Sequence, residues 1–146
     1  MALWKKVAVG LGVLLLGTVA AIAVFIYFFP PFGDMCGNQV LKVYPSPSGK
    51  LKAVVFERDC GATTGFSTQV SIVQAGSALE NEGANLFSAD TNRGRAPSVL
   101  GGGPEVRFRW LTDSSAELQH HPLVRIYLAE TKVRGVQVVI SAFADR

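Results

Sequence analysis

The sequence predicts an all-β domain, a small antiparallel sandwich or partly open barrel, preceded by one N-terminal transmembrane helix. Three observations carry this expectation: an uncharged apolar run from Val7 to Phe29, a change to period-two alternation beyond it, and clusters of turn residues between the alternating stretches.

The apolar run holds 23 residues without a charge. At about 1.5 Å per residue it reaches about 34 Å, enough for a hydrocarbon core about 30 Å thick. Trp4 at one end and Tyr27, Phe28 and Phe29 at the other suit the two interfacial aromatic belts, and Pro30-Pro31 ends the helix. Lys5 and Lys6 before the run and Asp34 after it set the orientation. Residues 1–6 are then cytoplasmic, 7–29 span the membrane, 30–37 form a linker and 38–146 form the exported domain.

A cleaved signal peptide shares the basic start, and Ala21-Ile22-Ala23 resembles a small-x-small cleavage site. Cleavage there would leave Val24–Phe29 as an exposed apolar terminus, and the run exceeds the signal core of about 7–15 residues. A retained anchor is therefore the expectation. Cys36 follows Asp34-Met35 rather than the small residues of a lipoprotein signal. Ala8/Gly12 and Gly17/Ala21 are small-xxx-small pairs, a pattern common to membrane helices in general. With no Asp, Glu, Lys, Arg or His between Val7 and Phe29, transport or proton relay through this helix is not expected.

The remainder of the 146-residue chain has room for one small domain. Its charge excludes one function class. The whole chain is +3, but Lys5 and Lys6 precede the anchor, leaving twelve basic and eleven acidic residues, a balance of +1. A nearly neutral domain lacks the concentrated positive field that phosphate-backbone binding needs, so nucleic acid is not an expected partner.

Within the domain, Gln39–Tyr44 and Leu51–Arg58 flank Pro45-Ser46-Pro47-Ser48-Gly49 and read as a hairpin. Phe66–Val73 places Phe66, Thr68, Val70 and Ile72 on one face. Glu105–Leu111 alternates Val106, Phe108 and Trp110 with Arg107 and Arg109. Leu118 centres a short strand after the Thr112–Ser115 turn, and Val124/Ile126/Leu128 and Val136/Val138/Ile140/Ala142 repeat the alternation. Six or seven antiparallel strands follow, and no amphipathic helix beyond residue 30. Between Gln74 and Pro104 the composition turns to Gly, Ser, Ala and Asn, interrupted by a brief strand at Asn85-Leu86-Phe87. It reads as a surface loop, with Gly101-Gly102-Gly103 a flexible tract.

Cys36 and Cys60 are the two cysteines, both exported, and an even count in an oxidising compartment points to a disulfide. Asp59-Cys60-Gly61-Ala62-Thr63-Thr64-Gly65-Phe66 is the densest polar stretch. Its glycines, hydroxyls and free N–H groups suit either a disulfide-pinned turn or a ligand nest. Asp59, Thr63, Thr64 and Phe66 are accordingly candidate ligand- or partner-contacting residues, together with Arg93 and Arg95, which could meet an acidic partner or lipid headgroups. His120-His121 lie on opposite faces of a strand and cannot readily share one ion; followed by Pro122, they read as a solvated turn. No G-x-S-x-G or comparable signature arranges Ser, His and Asp, so no catalytic residue, metal ligand or cofactor is assigned.

Ser46-Pro47-Ser48-Gly49-Lys50, the stretch Arg58–Ile72 and Val106-Arg107-Phe108-Arg109-Trp110 resemble a family of small bacterial membrane-attached or exported proteins with a domain of unknown function. The resemblance covers most of residues 36–143 and is most specific over Arg58–Ile72. It implies bacterial origin, hence a place in the cytoplasmic membrane with the domain periplasmic or extracellular, and a single β-domain; it implies no activity. The leading functional expectation is a membrane-anchored binding module for an envelope protein or small ligand, a class that includes immunity and inhibitor proteins. The alternatives are a small envelope hydrolase or thiol enzyme using the 59–66 loop, and an accessory subunit contacting its complex through the transmembrane helix.

Overall fold

In a computed structural model of the chain, which describes residues 2–29, 35–61 and 64–143, the apolar run folds as α1, Ala2–Phe28. Its 27 residues are long and apolar enough to cross a bilayer. The helix starts before the span expected from hydropathy because Ala2, Leu3, Lys5 and Lys6 are all good helix formers. The N–H of Phe29 still bonds the Phe25 carbonyl at 2.8 Å. Pro30-Pro31, expected to stop the helix, and Asp34 lie outside the described residues.

Residues 35–146 form a separate unit. Among its described residues are nine strands and no helix: β1 Gly37–Pro45, β2 Leu51–Asp59, β3 Ser67–Gln74, β4 Phe87–Asp90, β5 Val106–Thr112, β6 Ser115–His120, β7 Arg125–Ala129, β8 Lys132–Val133 and β9 Val136–Ala142. They make two sheets, ordered β1-β2-β3-β4-β7 and β5-β6-β9-β8. Neither closes on itself, so the domain is an open sandwich. Every strand pair is antiparallel except β6 with β9. After β6 the chain leaves for the other sheet to form β7 and returns through β8, so β9 runs alongside β6 in the same direction. Arg134 and Gly135 make the β8–β9 turn with φ of 49° and 79°, the paired positive values a two-residue hairpin needs.

The alternation seen in the sequence becomes the core. Ala53, Val55, Val70 and Ile72 of the first sheet meet Phe108, Ala116, Leu118, Val136 and Val138 of the second, with Leu86, Phe87 and Ala89 completing the layer. Tyr44 and Phe108 pack at 5.7 Å between ring centres, and Trp110 donates its indole N–H to the Tyr44 carbonyl at 2.8 Å. That bond ties β5 to β1 along one side of the sandwich.

The opposite face of the five-stranded sheet is not simply solvated. Val54 and Phe56 point away from the sandwich core, yet both are buried, Phe56 completely at 0% exposure. The segment 75–86 lies across them. Its Ala84 N–H bonds Gln69 Oε1 (2.7 Å), its Asn85 N–H bonds Ser71 Oγ (3.1 Å), and its Glu80 and Glu82 carbonyls accept the Asn38 amide at 3.0 and 2.8 Å. Asn85 also pairs its side-chain amide with both backbone groups of Ile72 at 2.9 Å, imitating a strand partner. Half of the stretch expected to be a surface loop is thus a cover for a second apolar layer.

The glycine tract differs from expectation as well. Val99 N–H bonds the Gly103 carbonyl (2.9 Å), Gly103 N–H bonds Glu57 Oε2 (3.2 Å), and Thr68 Oγ1 donates to the Pro104 carbonyl (2.7 Å). A Cβ added at Gly103 would lie 2.3 Å from Thr68 Oγ1 and 3.0 Å from the Thr68 backbone nitrogen. Glycine here permits close approach of two chain segments. Gly103→Ala is therefore expected to destabilise the domain by about 1–3 kcal/mol through overpacking. Gly76→Ala, where an added Cβ meets nothing within 4 Å, should stay within about 0.5 kcal/mol. Urea midpoints of the two full-length variants in detergent make the comparison.

Candidate functional site

Strand register places five side chains in one line across the outer face of the five-stranded sheet. Asn38 opposes Arg58, Arg58 opposes Ser67, Ser67 opposes Asp90 and Asp90 opposes Arg125. Because alternate residues share a face, Gln69, Ser88 and Tyr127 join the same surface. All of these except Asn38, together with Cys60, Thr64 and Gly65, line an open polar groove of about 450 Å³, within the volume range of small-ligand sites, which run to roughly 300–1,000 Å³.

Asp90 is the electrostatic centre. Its Oδ2 accepts hydrogen bonds from the Arg125 guanidinium and from the Tyr127 hydroxyl, the latter at 2.6 Å, and its Oδ1 accepts the Asn92 N–H at 2.7 Å. Burial works to raise the Asp90 carboxyl, but the bonds from Arg125, Tyr127 and the Asn92 backbone, with the guanidinium charge, outweigh it and hold the group below its ordinary value. The Tyr127 phenol is raised, chiefly because its hydrogen bond to Asp90 stabilises the protonated form. Arg125 also lies over the Tyr127 ring, 5.1 Å from its centre. On the far side of the groove, Arg58 donates to Asn38 Oδ1 at 2.7 Å and to Asn81 Oδ1 at 3.5 Å, so among the described residues amide side chains hold the guanidinium.

A carboxyl depressed in the folded state stabilises the fold above its unfolded value, and that contribution disappears as pH falls through the folded value. The acid limb of stability, below about pH 4, should therefore flatten in Asp90→Asn. It should not vanish, because Asp113 is also lowered, by the Ser48 N–H that bonds it. Urea titrations of both proteins from neutral pH into this range check the slope.

The six candidate residues separate. Thr64 lines the groove, its hydroxyl donating to the Gly61 carbonyl at 3.1 Å. Asp59 turns back on its own loop, accepting the Gly61 N–H at 2.9 Å. Phe66 sits outside the groove, its ring where a Cβ on Gly102 would come within 2.5 Å. Arg93 and Arg95 are exposed on a turn that begins after Asp90, with Asn92 and Arg93 at φ of 51° and 59°. Thr63 lies outside the described residues.

Cys36 and Cys60 form the expected disulfide. Gly37 opposes Asp59 in the β1–β2 ladder, so the bridge extends that ladder by one pair and pins the start of the domain to the rim of the groove. Neither cysteine is free. Thr64 and Ser67 supply hydroxyls, and among the described residues no histidine lines the groove.

His120 and His121 are not solvated: they are 9% and 5% exposed. His120 continues the inward row of Ala116 and Leu118, stacks on Phe87 at 5.5 Å and bonds the His121 carbonyl through Nδ1 at 2.9 Å. His121 packs edge-on against Phe143 at 5.8 Å and accepts the Leu123 N–H through Nδ1. Both are core groups at the end of β6. Among the described residues no group of three or more His, Cys, Asp or Glu could hold a metal ion.

Asp90, Arg125, Tyr127, Ser67, Gln69 and Ser88 were not singled out from sequence. The signal available was the polar half of each alternation, Ser67-x-Gln69, Ser88-x-Asp90 and Arg125-x-Tyr127, which marks an outward face but not which strands adjoin. Comparison with family models, with curated proteins and with solved structures finds no match to this chain.

Proposed function

We propose that this chain is a binding module held outside the bacterial cytoplasmic membrane by residues 7–29, recognising an envelope protein or small ligand in the groove centred on Asp90, Arg125 and Tyr127. The observation that carries this reading is the row Asn38–Arg58–Ser67–Asp90–Arg125, which gathers charged and hydrogen-bonding groups from all five strands of one sheet. A rigid sheet presenting converging donors and acceptors suits recognition. Nucleophilic catalysis is disfavoured by the disulfide at Cys60 and by the absence of a histidine from the groove lining. The uncharged apolar run Val7–Phe29, the basic residues before it and the disulfide beyond it support an anchored, exported domain. The resemblance over Arg58–Ile72 supports bacterial origin.

Photocrosslinking of the full-length chain in its native membrane tests the site. A photoreactive residue replacing Thr64 should capture one defined envelope molecule, one replacing Ser48 at the opposite end of the sheet should not, and Ser67→Trp, which fills the groove, should abolish the Thr64 adduct. Equal capture at both positions, or an adduct indifferent to Ser67→Trp, would remove the groove from consideration.

A further inference from the structure

The large apolar side chains exposed on the loops of the described domain are unevenly placed. Met35, Phe66, Val99, Leu100 and Leu123 are all exposed, and all lie at the end of the sandwich where β1 begins, β2 ends, β3 begins, β4 ends and β7 begins. The loops at the other end, residues 46–50, 113–114 and 130–135, expose none. Leu100 is the extreme case at 96% exposure. The Val99–Gly103 and Gly102–Val99 backbone bonds and the Glu57 and Thr68 side chains hold the backbone of its loop in place. Arg93 and Arg95 are exposed on the adjacent turn. At this end Asp90 is engaged by Arg125, Asp59 by its own loop and Glu105 by Arg107, while Glu80 and Glu82, whose carbonyls bond Asn38, are exposed.

We propose that this end of the domain is a membrane-docking surface, with Leu100, Val99 and Phe66 seated at the lipid interface and Arg93 and Arg95 on lipid phosphates. Side chains of this composition gain at the headgroup boundary, apolar groups by burial and arginines by attraction to anionic lipid. Chain length argues for a lipid surface over other occupants. The domain begins at Met35, and the five residues 30–34 separate it from Phe29 at the end of the apolar run; fully extended, that link reaches no more than about 20 Å. The inference rests on the retained anchor. Docking would hold the groove, which opens on the outer face of the sheet, at a set height and direction above the lipid.

The test uses the full-length chain reconstituted in vesicles of phosphatidylcholine and phosphatidylglycerol, with a photoreactive residue replacing Leu100, Ser48 or Leu14 in separate proteins. Lipid adducts are expected at Leu14 and Leu100 and only at background at Ser48. The Leu100 yield should rise with phosphatidylglycerol content, a dependence lost in Arg93→Gln/Arg95→Gln. Adducts at Leu14 with Leu100 no better than Ser48 would overturn docking while leaving the anchor standing. Absence of adducts at Leu14 would overturn the anchor, and docking with it.

Discussion

Phe56→Ala should lower the unfolding free energy by about 3–5 kcal/mol, the cost of removing a fully buried aromatic ring. The expectation is informative because Phe56 lies on the face of the five-stranded sheet turned away from the sandwich core. If segment 75–86 covers that face, as its bonds to Asn38, Gln69, Ser71 and Ile72 indicate, the ring is lost from a closed layer. Val139→Ala on the outer face of the other sheet, where the side chain is exposed, should change stability by about 0.5 kcal/mol or less. Urea unfolding of the full-length proteins in detergent, followed by near-ultraviolet circular dichroism, separates them. A Phe56→Ala cost no larger than that of Val139→Ala would mean that the cover is not in place in solution.

The second large effect concerns Cys36–Cys60. The two residues are 24 apart in sequence, and closing a loop of this size restricts the unfolded chain enough to contribute about 3 kcal/mol. A domain of this size has total stability on the order of 5–10 kcal/mol, so Cys36→Ser/Cys60→Ser should remain folded but lose a substantial part of its margin. The loss should concentrate where the bridge extends the β1–β2 ladder. Hydrogen exchange at Gly37–Val40 and Glu57–Asp59 is expected to accelerate more than exchange at Val136–Ile140. Uniform acceleration across both sheets would show that the bridge acts on global stability alone.

How much of this was legible in the sequence follows from how far each interaction reaches along the chain. The helix and the strands Gln39–Tyr44, Leu51–Arg58, Glu105–Leu111 and Val136–Ala142 rest on local periodicity and local turn chemistry, and they appear within a residue or two of where periodicity places them, apart from the earlier start of the helix. Cover and register are long-range. Ala53-Val54-Val55-Phe56 is apolar on both faces, a sign of two-sided burial, but nothing near it says that residues 75–86 provide the second side. The glycines at 101–103 read as flexible because their reason for being small, the approach to Glu57, Phe66 and Thr68, lies more than thirty residues away. His120-His121-Pro122 reads as a solvated turn because its packing partners Phe87 and Phe143 lie 33 and 22 residues away in sequence. The groove shows the same limit. Thr64 was found by the density of polar residues around it, whereas Asp90 and Arg125, 35 apart, meet only once β4 and β7 are paired. A period-two pattern assigns each residue a face; it does not assign each strand a neighbour.

The central claim, an exported domain kept on its anchor, is tested most directly by the size and placement of the chain made in a bacterial host. The intact 15.6 kDa chain is expected in the membrane fraction after carbonate extraction, with Cys36–Cys60 oxidised and the domain accessible to impermeant biotinylation of its lysines in spheroplasts. A shorter soluble product beginning after Ala23, or an intact chain whose domain is labelled only after lysis, would contradict it.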